Sequence, residues 1–141
     1  MTRVKSRNKR SGVTLLEMMI VLAIMALVMG LAAPRLMDTF GRAKSQSAEI
    51  QLSQIGAALQ LFYIDTGRYP TEAEGLSVLL AEPVGLEQWN GPYLDARADT
   101  LDPWGRDFVY QFPVENAAFG LMTYGRDGLA GGTSEDRDLS F

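Results

Sequence analysis

Residues Gly12 to Pro34 read GVTLLEMMIVLAIMALVMGLAAP and set the architecture expected for the whole 141-residue chain. Within this segment, residues 13–33 are apolar apart from Thr14, Glu17 and Gly30. A helix rises ~1.5 Å per residue, so a segment of this length covers the ~30 Å hydrocarbon core of a bilayer. The sequence therefore predicts a membrane-spanning helix over residues 13–34.

A secretory signal peptide is the alternative interpretation, because the basic stretch Met1 to Arg10 precedes the apolar run. The run is longer than the ~7–15 residue apolar region of such signals, and Glu17 lies inside its start. No small-x-small cleavage site follows it cleanly, although Ala32-Ala33 leaves this alternative open.

Glu17 is the one ionisable residue within the apolar segment. An ionised carboxylate at the centre of a membrane costs ~2.5–3.5 kcal/mol on insertion scales, so it needs a partner, a proton or a shallow position. One interpretation is a carboxylate near the interface that reaches the lipid headgroups. The other is a carboxylate that meets a cation on another chain, and cleavage just before Val13 would create an α-amine of that kind.

The start of the chain resembles the class III signal of type IV pilins and pseudopilins. Basic residues precede Gly12, then VTLLEMMIVLAIMALV follows, with the glutamate five residues after the glycine. The resemblance implies that a prepilin peptidase cuts between Gly12 and Val13 and methylates the new amine of Val13. It also implies that Glu17 pairs with the terminus of a neighbouring subunit during assembly. Val13 departs from the family's usual phenylalanine.

The charge distribution predicts the topology of the chain. Without residues 1–12 the chain keeps eight basic and 17 acidic residues, a net charge of −9. Basic residues before the span and an acidic chain after it place the N-terminus in the cytoplasm and the remainder outside. An acidic chain of this kind is not expected to bind nucleic acid.

The chain contains no cysteine and no histidine. Disulfides, thiolate metal sites, the common zinc sites and histidine-dependent catalytic triads are therefore excluded. No motif supplies a general base or paired acids for other chemistry, so the sequence does not predict an enzyme.

After Pro34 the apolar residues recur every three or four positions, which predicts an amphipathic helix. They are Leu36, Phe40, Ala43, Ala48, Leu52, Ile55, Leu59 and Phe62. One helix over residues 13–64 would then serve both as membrane anchor and as spine of a globular head. Pro34 is expected to kink the helix or melt it locally, and Gly67 suits a left-handed cap at its end.

The rest of the chain predicts a small α+β head. Thr71 and Glu74 form a capping-box pattern before a short second helix, whose apolar stripe is Leu76, Leu79 and Leu80. The β-rich runs 108–112 and 119–124 predict an antiparallel hairpin packed on the long helix. The aromatic residues between Gly85 and Pro103 are interpreted as core packing. The expected organisation is a leader over 1–12, a membrane and assembly helix over 13–34, and a head over 35–141.

Four further stretches extend the resemblance over the whole chain: GRYPTEAEGLSVLL, WNGPYL, DPWGRDFVYQFP and GRDGLAGGTSEDRD. They are similar to the major pseudopilins of type II secretion systems. The resemblance implies a pilin-like fold and a subunit that polymerises into a periplasmic pseudopilus supporting export of folded proteins across the outer membrane. The chain ends in DLSF where the family usually ends in tryptophan, so the packing of that residue is either supplied by Phe141 or absent.

The partners implied by the resemblance are further copies of the chain, minor pseudopilins, the prepilin peptidase, an inner-membrane assembly platform and an ATPase. The implied location is a single pass through the bacterial inner membrane, with the head in the periplasm. Two alternatives of function remain open: a type IV pilus subunit, or a membrane-anchored adhesin or binding module that holds a ligand with its aromatic loops.

The segment Gly125 to Asp138 places carboxylates and hydroxyls among glycines. Calcium takes six to eight oxygen ligands at ~2.3–2.6 Å, and a flexible loop can wrap them around an ion. The segment does not match an EF-hand, because Leu129 and Gly131 stand where oxygen ligands are needed. From composition alone, a solvated acidic end is the alternative.

The resemblance to pseudopilins implies one structural Ca²⁺ in this loop. The implied ligands are the side chains of Asp127, Asp136 and Asp138 and the backbone carbonyl of Tyr124. Glu135 is not included, because the alignment of the tail shifts by a residue or two at that point.

Overall fold

The computed structural model describes residues 13–141, so the basic leader and Gly12 lie outside the described residues. The chain divides into two compact units, Met1–Asp38 and Thr39–Phe141. The second unit carries the sheet and the core, and the first contributes an apolar helix.

The main element is helix α1, Leu15–Thr66. At its start, the backbone N–H of Glu17 donates to Oγ1 of Thr14 at 3.2 Å, which satisfies one of the unpaired donors of the first turn. At its end, Gly67 has φ 72° and donates its N–H to the carbonyl of Tyr63 at 2.8 Å. The long helix and its glycine cap are confirmed. Helical structure continues through position 34, so of the two effects expected there, a kink or local melting, the second does not occur.

In the first unit, every side chain described between residues 13 and 33 is exposed. Among residues 13–141, α1 is the one helix long and apolar enough to cross a membrane, and its most apolar stretch has no buried residue. A soluble core helix would bury such a stretch, so this part of α1 needs lipid or other chains around it.

The second unit has its core on one face of α1. That face consists of Ala48, Leu52, Ile55, Ala58, Leu59 and Phe62, all at most 3% exposed. From Ala48 onward the spacing of three and four matches the sequence prediction, because residues at this spacing share one side of a helix. Leu36, Phe40 and Ala43, which the predicted stripe also included, are exposed. Leu79, Phe108 and Leu121 cover the face from the rest of the chain. Burying a large apolar side chain stabilises the fold by ~1.5–3 kcal/mol, so this stripe anchors the head.

The sheet has three strands in the order β1-β2-β3: Val109–Gln111, Gly120–Thr123 and Leu139–Ser140. All neighbours are antiparallel, with Tyr110 opposite Leu121 and Thr123 opposite Leu139. The predicted hairpin is confirmed. The sequence did not predict the third strand, because two residues are too few to show the alternating pattern of a strand.

The predicted capping box is present. The backbone N–H of Thr71 donates to Glu74 at 2.7 Å, and the N–H of Glu74 donates back to Thr71 Oγ1 at 3.3 Å. The helix that follows is a single 3₁₀ segment, Gly75–Leu79, which buries Val78 where Leu80 was expected. A 3₁₀ segment has three residues per turn, so it brings a different residue to the core from the one that a 3.6-residue period selects.

Beside this segment, Arg68 donates to both carboxylate oxygens of Glu74, at 2.7 and 2.8 Å. This hydrogen bonding lowers the pKa of Glu74 to about 2; partial burial opposes it, and hydrogen bonds from Thr71 add to it. The ion pair links the end of α1 to the 3₁₀ segment.

The head should therefore lose stability in acid. Because the folded-state pKa of Glu74 is depressed, its contribution is complete above the unfolded value of ~4.3 and is lost as pH falls toward 2. After screening by solvent we expect a loss of about 1 kcal/mol in the free energy of unfolding. Urea unfolding of residues 36–141 between pH 6 and 2.5 measures it. Glu74→Gln should flatten the dependence, and the exposed control Glu115→Gln should not. Unchanged pH dependence in Glu74→Gln contradicts the assignment.

Candidate functional site

The first candidate site is the start of α1. Glu17 lies in the first turn of the helix, four residues after Val13, and both residues are exposed. The N-terminus of a helix is its positive end, which favours a carboxylate there. Within residues 13–141 no ion pair to Glu17 is formed, so its carboxylate is free to meet a cation of another molecule.

The apolar surface around Glu17 is large and continuous. Its exposed large side chains are Val13, Leu15, Leu16, Met18, Met19, Ile20, Val21, Leu22, Ile24, Met25, Leu27, Val28, Met29 and Leu31. A monomeric soluble protein rarely exposes apolar patches above a few hundred Å². This part of the chain is therefore built to sit in lipid or to pack against other copies.

The second candidate site is the C-terminal loop, Gly125 to Asp138. Asp127 Oδ1 accepts the N–H of Leu129 at 3.0 Å, and Asp138 Oδ2 accepts the N–H of Gly131 at 2.9 Å. Both carboxylates thus face the same turn of backbone. The other oxygen of Asp138, Oδ1, is buried, and no donor among residues 13–141 reaches it. A buried carboxylate oxygen without a partner is costly, so it suits a bound cation.

Asp136 is engaged differently. Both of its oxygens accept from Arg126, at 2.8 Å from Nε and 2.9 Å from the terminal nitrogen. Paired donation of this kind is the strong geometry for an arginine and a carboxylate, and it raises the pKa of Arg126. Tyr124 follows β2 directly and is half-buried. Across residues 13–141, three or more acidic side chains are nowhere grouped so as to hold a metal ion.

The loop is closed by its backbone. The N–H of Arg126 donates to the carbonyl of Glu135 at 2.9 Å. Gly125 has φ 65°, and a Cβ at this position would lie 2.8 Å from the carbonyl oxygens of Glu135 and Arg137. Only glycine fits this crossing, because any side chain would clash with backbone atoms that cannot move aside.

Several contacts that the sequence did not indicate fix this loop to the head. Glu135 accepts a hydrogen bond from Trp104 Nε1 at 2.9 Å, and Arg137 pairs with Glu49 of α1 at 3.1 Å. Arg106 donates to the carbonyl of Gly125. These contacts join residues that are far apart in sequence, so no local sequence pattern predicts them.

Asp102 stabilises the part of the head that contacts the C-terminal loop, through three hydrogen bonds. It is 4% exposed and accepts the hydroxyl of Thr123 at 2.6 Å and the N–H groups of Trp104 and Arg106 at 3.0 and 2.9 Å. An aspartate that caps the backbone two residues on is a typical turn signal, so the Asp-Pro-Trp-Gly sequence could have indicated this role.

Phe141 packs at the end of the chain. Its ring stacks on Phe119 with centroids 5.5 Å apart, and it lies over Gly56 of α1. Of the two alternatives for this position, these contacts agree with packing by Phe141, whose side chain is 55% exposed.

Comparisons with known proteins identify the family. The family model for type II secretion system protein G matches residues 35–141, and the prokaryotic N-terminal methylation motif matches residues 7–33. The chain belongs to the type II secretion system protein G family. The methylation motif includes the expected cleavage point, between Gly12 and Val13, and it also includes Glu17.

Curated relatives agree over nearly the full length. Type II secretion system core protein G of Xanthomonas campestris pv. campestris is 34% identical over 140 residues, 99% of this chain and 95% of the relative. The Pseudomonas aeruginosa protein of the same name is 34% identical, covering 94% of this chain and 95% of its own. The Escherichia coli K12 protein is 33% identical, with 94% and 92% covered.

A solved structure supports the fold. The crystal structure of the major pseudopilin from the type 2 secretion system of enterohaemorrhagic Escherichia coli matches with a TM-score of 0.61 and 24% identity, over 74% of this chain and 87% of that one. The predicted family and α+β fold are confirmed. The protein is a structural subunit of the type II secretion pseudopilus and not an enzyme.

Proposed function

We propose that this subunit is processed at its N-terminus and polymerises through α1 into a filament of many copies. The observation that carries the proposal is the part of α1 up to residue 33, which exposes an apolar surface along its length and holds a single carboxylate, Glu17, in its first turn. An apolar helix that carries one carboxylate is stable in lipid before assembly. After assembly it is stable between the helices of other copies.

Processing explains the position of Glu17. Cleavage between Gly12 and Val13 creates an α-amine on Val13, which the methylation motif supports as the modified residue. In a filament, that N-methylated amine meets Glu17 of the neighbouring copy. Both charges then lie in an apolar environment, where their attraction is strong and offsets part of the cost of taking them out of water.

The same surface supports the proposed location. Before assembly the chain crosses the inner membrane once, with the N-terminus in the cytoplasm and the acidic head in the periplasm. The proposed partners are the prepilin peptidase, which cuts and methylates, the inner-membrane platform and ATPase, which drive assembly, and minor pseudopilins alongside copies of this chain.

A structural Ca²⁺ in the C-terminal loop is part of the proposal. Asp127 and Asp138 face the same turn, and the buried, unpaired Oδ1 of Asp138 favours a cation there. The carbonyl of Tyr124, directly after β2, is the third protein ligand of the proposed set, and water would supply the remaining oxygens that calcium needs. Both oxygens of Asp136 already accept from Arg126, and for this reason the proposed set leaves Asp136 out. When bound, the ion holds the glycine-rich loop against the sheet.

Intact-mass measurement of membrane-extracted protein tests the processing step. We expect a mature form that begins at Val13 and carries one added methyl group, because Gly12 precedes the apolar helix start that the methylation motif describes. Gly12→Asp should retain the leader completely. The control is the same chain expressed without a prepilin peptidase. A mature form starting at any other residue rules the step out.

Filament recovery tests polymerisation. Cells that express the chain with its secretion system are sheared, and filaments are collected by sedimentation. Filaments built from the mature chain are expected. A mature chain that stays monomeric in the membrane would exclude a polymerising subunit.

A further inference from the structure

The head exposes a second apolar stripe on α1, opposite its core face. Ile50, Ala57, Leu61 and Ile64 are all exposed, with Ile50, Leu61 and Ile64 at 54, 53 and 72%. Their spacing of seven, four and three residues places them along one side of the helix. Such regular exposure of large apolar side chains in a folded head indicates a surface that another molecule covers.

Two adjoining hollows make this stripe a groove. One is lined by residues 46–57 on α1, and the other lies between α1 and the segment Tyr93–Asp99. They share Gln54 and Ala57, so they form one depression along the helix. We call it the α1 groove. Its lining includes the small side chains of Ser53 and Ala57, where a partner can approach the helix closely.

The charged side chains that line the two hollows have one sign, whereas the basic Arg42 and Arg137 line a neighbouring hollow that shares Glu49 with them. Glu49, Asp95 and Asp99 are the charged side chains that line the two hollows, and all three are carboxylates. Glu49 is paired with Arg137 and Asp99 accepts a backbone N–H, whereas no ion pair of Asp95 is formed within residues 13–141. The groove is therefore suited to a partner with an apolar anchor and a positive charge.

The base of the same head carries a matching surface. Phe40 is 58% exposed, and Lys44 lies one helical turn later, so the two side chains share a face. Of the seven basic residues in the second unit, the five arginines 68, 97, 106, 126 and 137 form ion pairs. Within the described chain, Lys44 and Arg42 form none.

Arg42 is less suited to this surface than Lys44. It lines a hollow together with Glu135 and Arg137 that shares Gln46 and Glu49 with the α1 groove, so Arg42 lies beside the groove and not on the face of Phe40. Lys44 therefore combines with Phe40 as an aromatic anchor beside a cation, the combination that the α1 groove requires.

We infer that the α1 groove of one head receives Phe40 and Lys44 of a second copy of this chain, with Lys44 opposite Asp95. The inference rests on the proposed polymerisation and adds a contact between heads to it. The two surfaces are different patches of one chain, so the contact is head-to-tail and propagates instead of closing into a dimer. Propagation is what a filament requires.

The spacing along α1 gives the offset between the two copies. All subunits leave the membrane in the same direction, so contacting helices run parallel. Placing Lys44 at the level of Ala57 sets a displacement of 13 residues, which corresponds to ~20 Å along the helix axis, and the same displacement places Phe40 at the level of Ser53. Neighbouring copies are thus staggered, as in a continuous fibre.

Cysteine cross-linking tests the contact, because the natural chain contains no cysteine. Chains carrying Lys44→Cys and Asp95→Cys are expressed together with the secretion system, and sheared filaments are oxidised. We expect a covalent dimer containing one chain of each kind. The matched control replaces Asp95→Cys with Glu115→Cys, an exposed carboxylate outside the groove. Equal cross-linking of both pairs, or none for the first pair, overturns the contact.

Charge reversal provides the second test in the full chain. Lys44→Asp and Asp95→Lys should each lower the recovered filament about fivefold, because an exposed ion pair contributes up to ~1 kcal/mol at each contact. The double reversal restores the pair and should return filament toward the parent amount. Glu115→Lys is the control. Reversals without effect, or a double variant no better than the singles, overturn the inference, whereas failure of the parent chain to form filaments would overturn polymerisation itself.

Discussion

Replacing Glu17 with alanine is expected to abolish filament assembly while leaving the chain in the membrane. Insertion becomes easier, because a carboxylate is removed from the apolar segment. Assembly fails, because the methylated amine of Val13 then enters an apolar environment without its counter-charge. Removing one partner of a buried pair costs ~3–5 kcal/mol, which corresponds to a loss of more than ~100-fold in the association constant for each contact.

Sheared filament, measured against total chain in the membrane fraction, quantifies this effect. Glu17→Gln keeps a hydrogen-bond acceptor without the charge and should assemble weakly. The matched control is Glu17→Ala combined with Met18→Glu, which keeps the carboxylate but turns it by about 100° around the helix. That double variant should remain defective. Parent amounts of filament from Glu17→Ala would show that the pairing does not exist.

The second large effect concerns calcium. A ligand at a hundred times its Kd stabilises the folded state by ~2.7 kcal/mol, and extracellular calcium sites have Kd values of ~10⁻⁴–10⁻³ M. For a head of this size we expect the melting temperature of residues 36–141 to fall by about 10 °C when calcium is replaced by excess EGTA. Asp127 and Asp138 no longer share an ion there, so the glycine-rich loop opens.

Three variants distinguish the effect of the calcium ion on stability from the effect of the Arg126–Asp136 ion pair. Asp127→Asn and Asp138→Asn should remove most of the calcium response. Asp136→Asn is the matched control, since it loses the bond from Arg126 and lowers stability in both buffers but keeps the response to calcium. Equal melting temperatures in calcium and EGTA would mean that the loop binds no calcium and is the solvated acidic end given as the alternative.

The sequence by itself determined the elements whose signals are local. The apolar run, Glu17 and the residues spaced by three and four predicted the long helix and its buried face, because each signal lies within a few turns of chain. Thr71 and Glu74 predicted the capping box, and the two β-rich runs predicted the hairpin. The family followed from contiguous motifs read in order along the chain.

Tertiary structure alone decided the details that depend on distant residues. Leu139–Ser140 became a strand because β2 offered a free edge to a segment too short to show a pattern. Val78 replaced Leu80 in the core because a 3₁₀ turn has a different period from an α-helix.

The C-terminal loop shows the same division. Its carboxylates were visible in the sequence, but their partners were not. Arg126 forms an ion pair with Asp136, while Asp127 and Asp138 accept hydrogen bonds from one segment of backbone. Likewise, the α1 groove combines a helix face with Asp95, which is more than 30 residues further along the chain. Side-chain pairing and grooves depend on which surfaces the folded backbone brings together, and a local pattern carries no information on that.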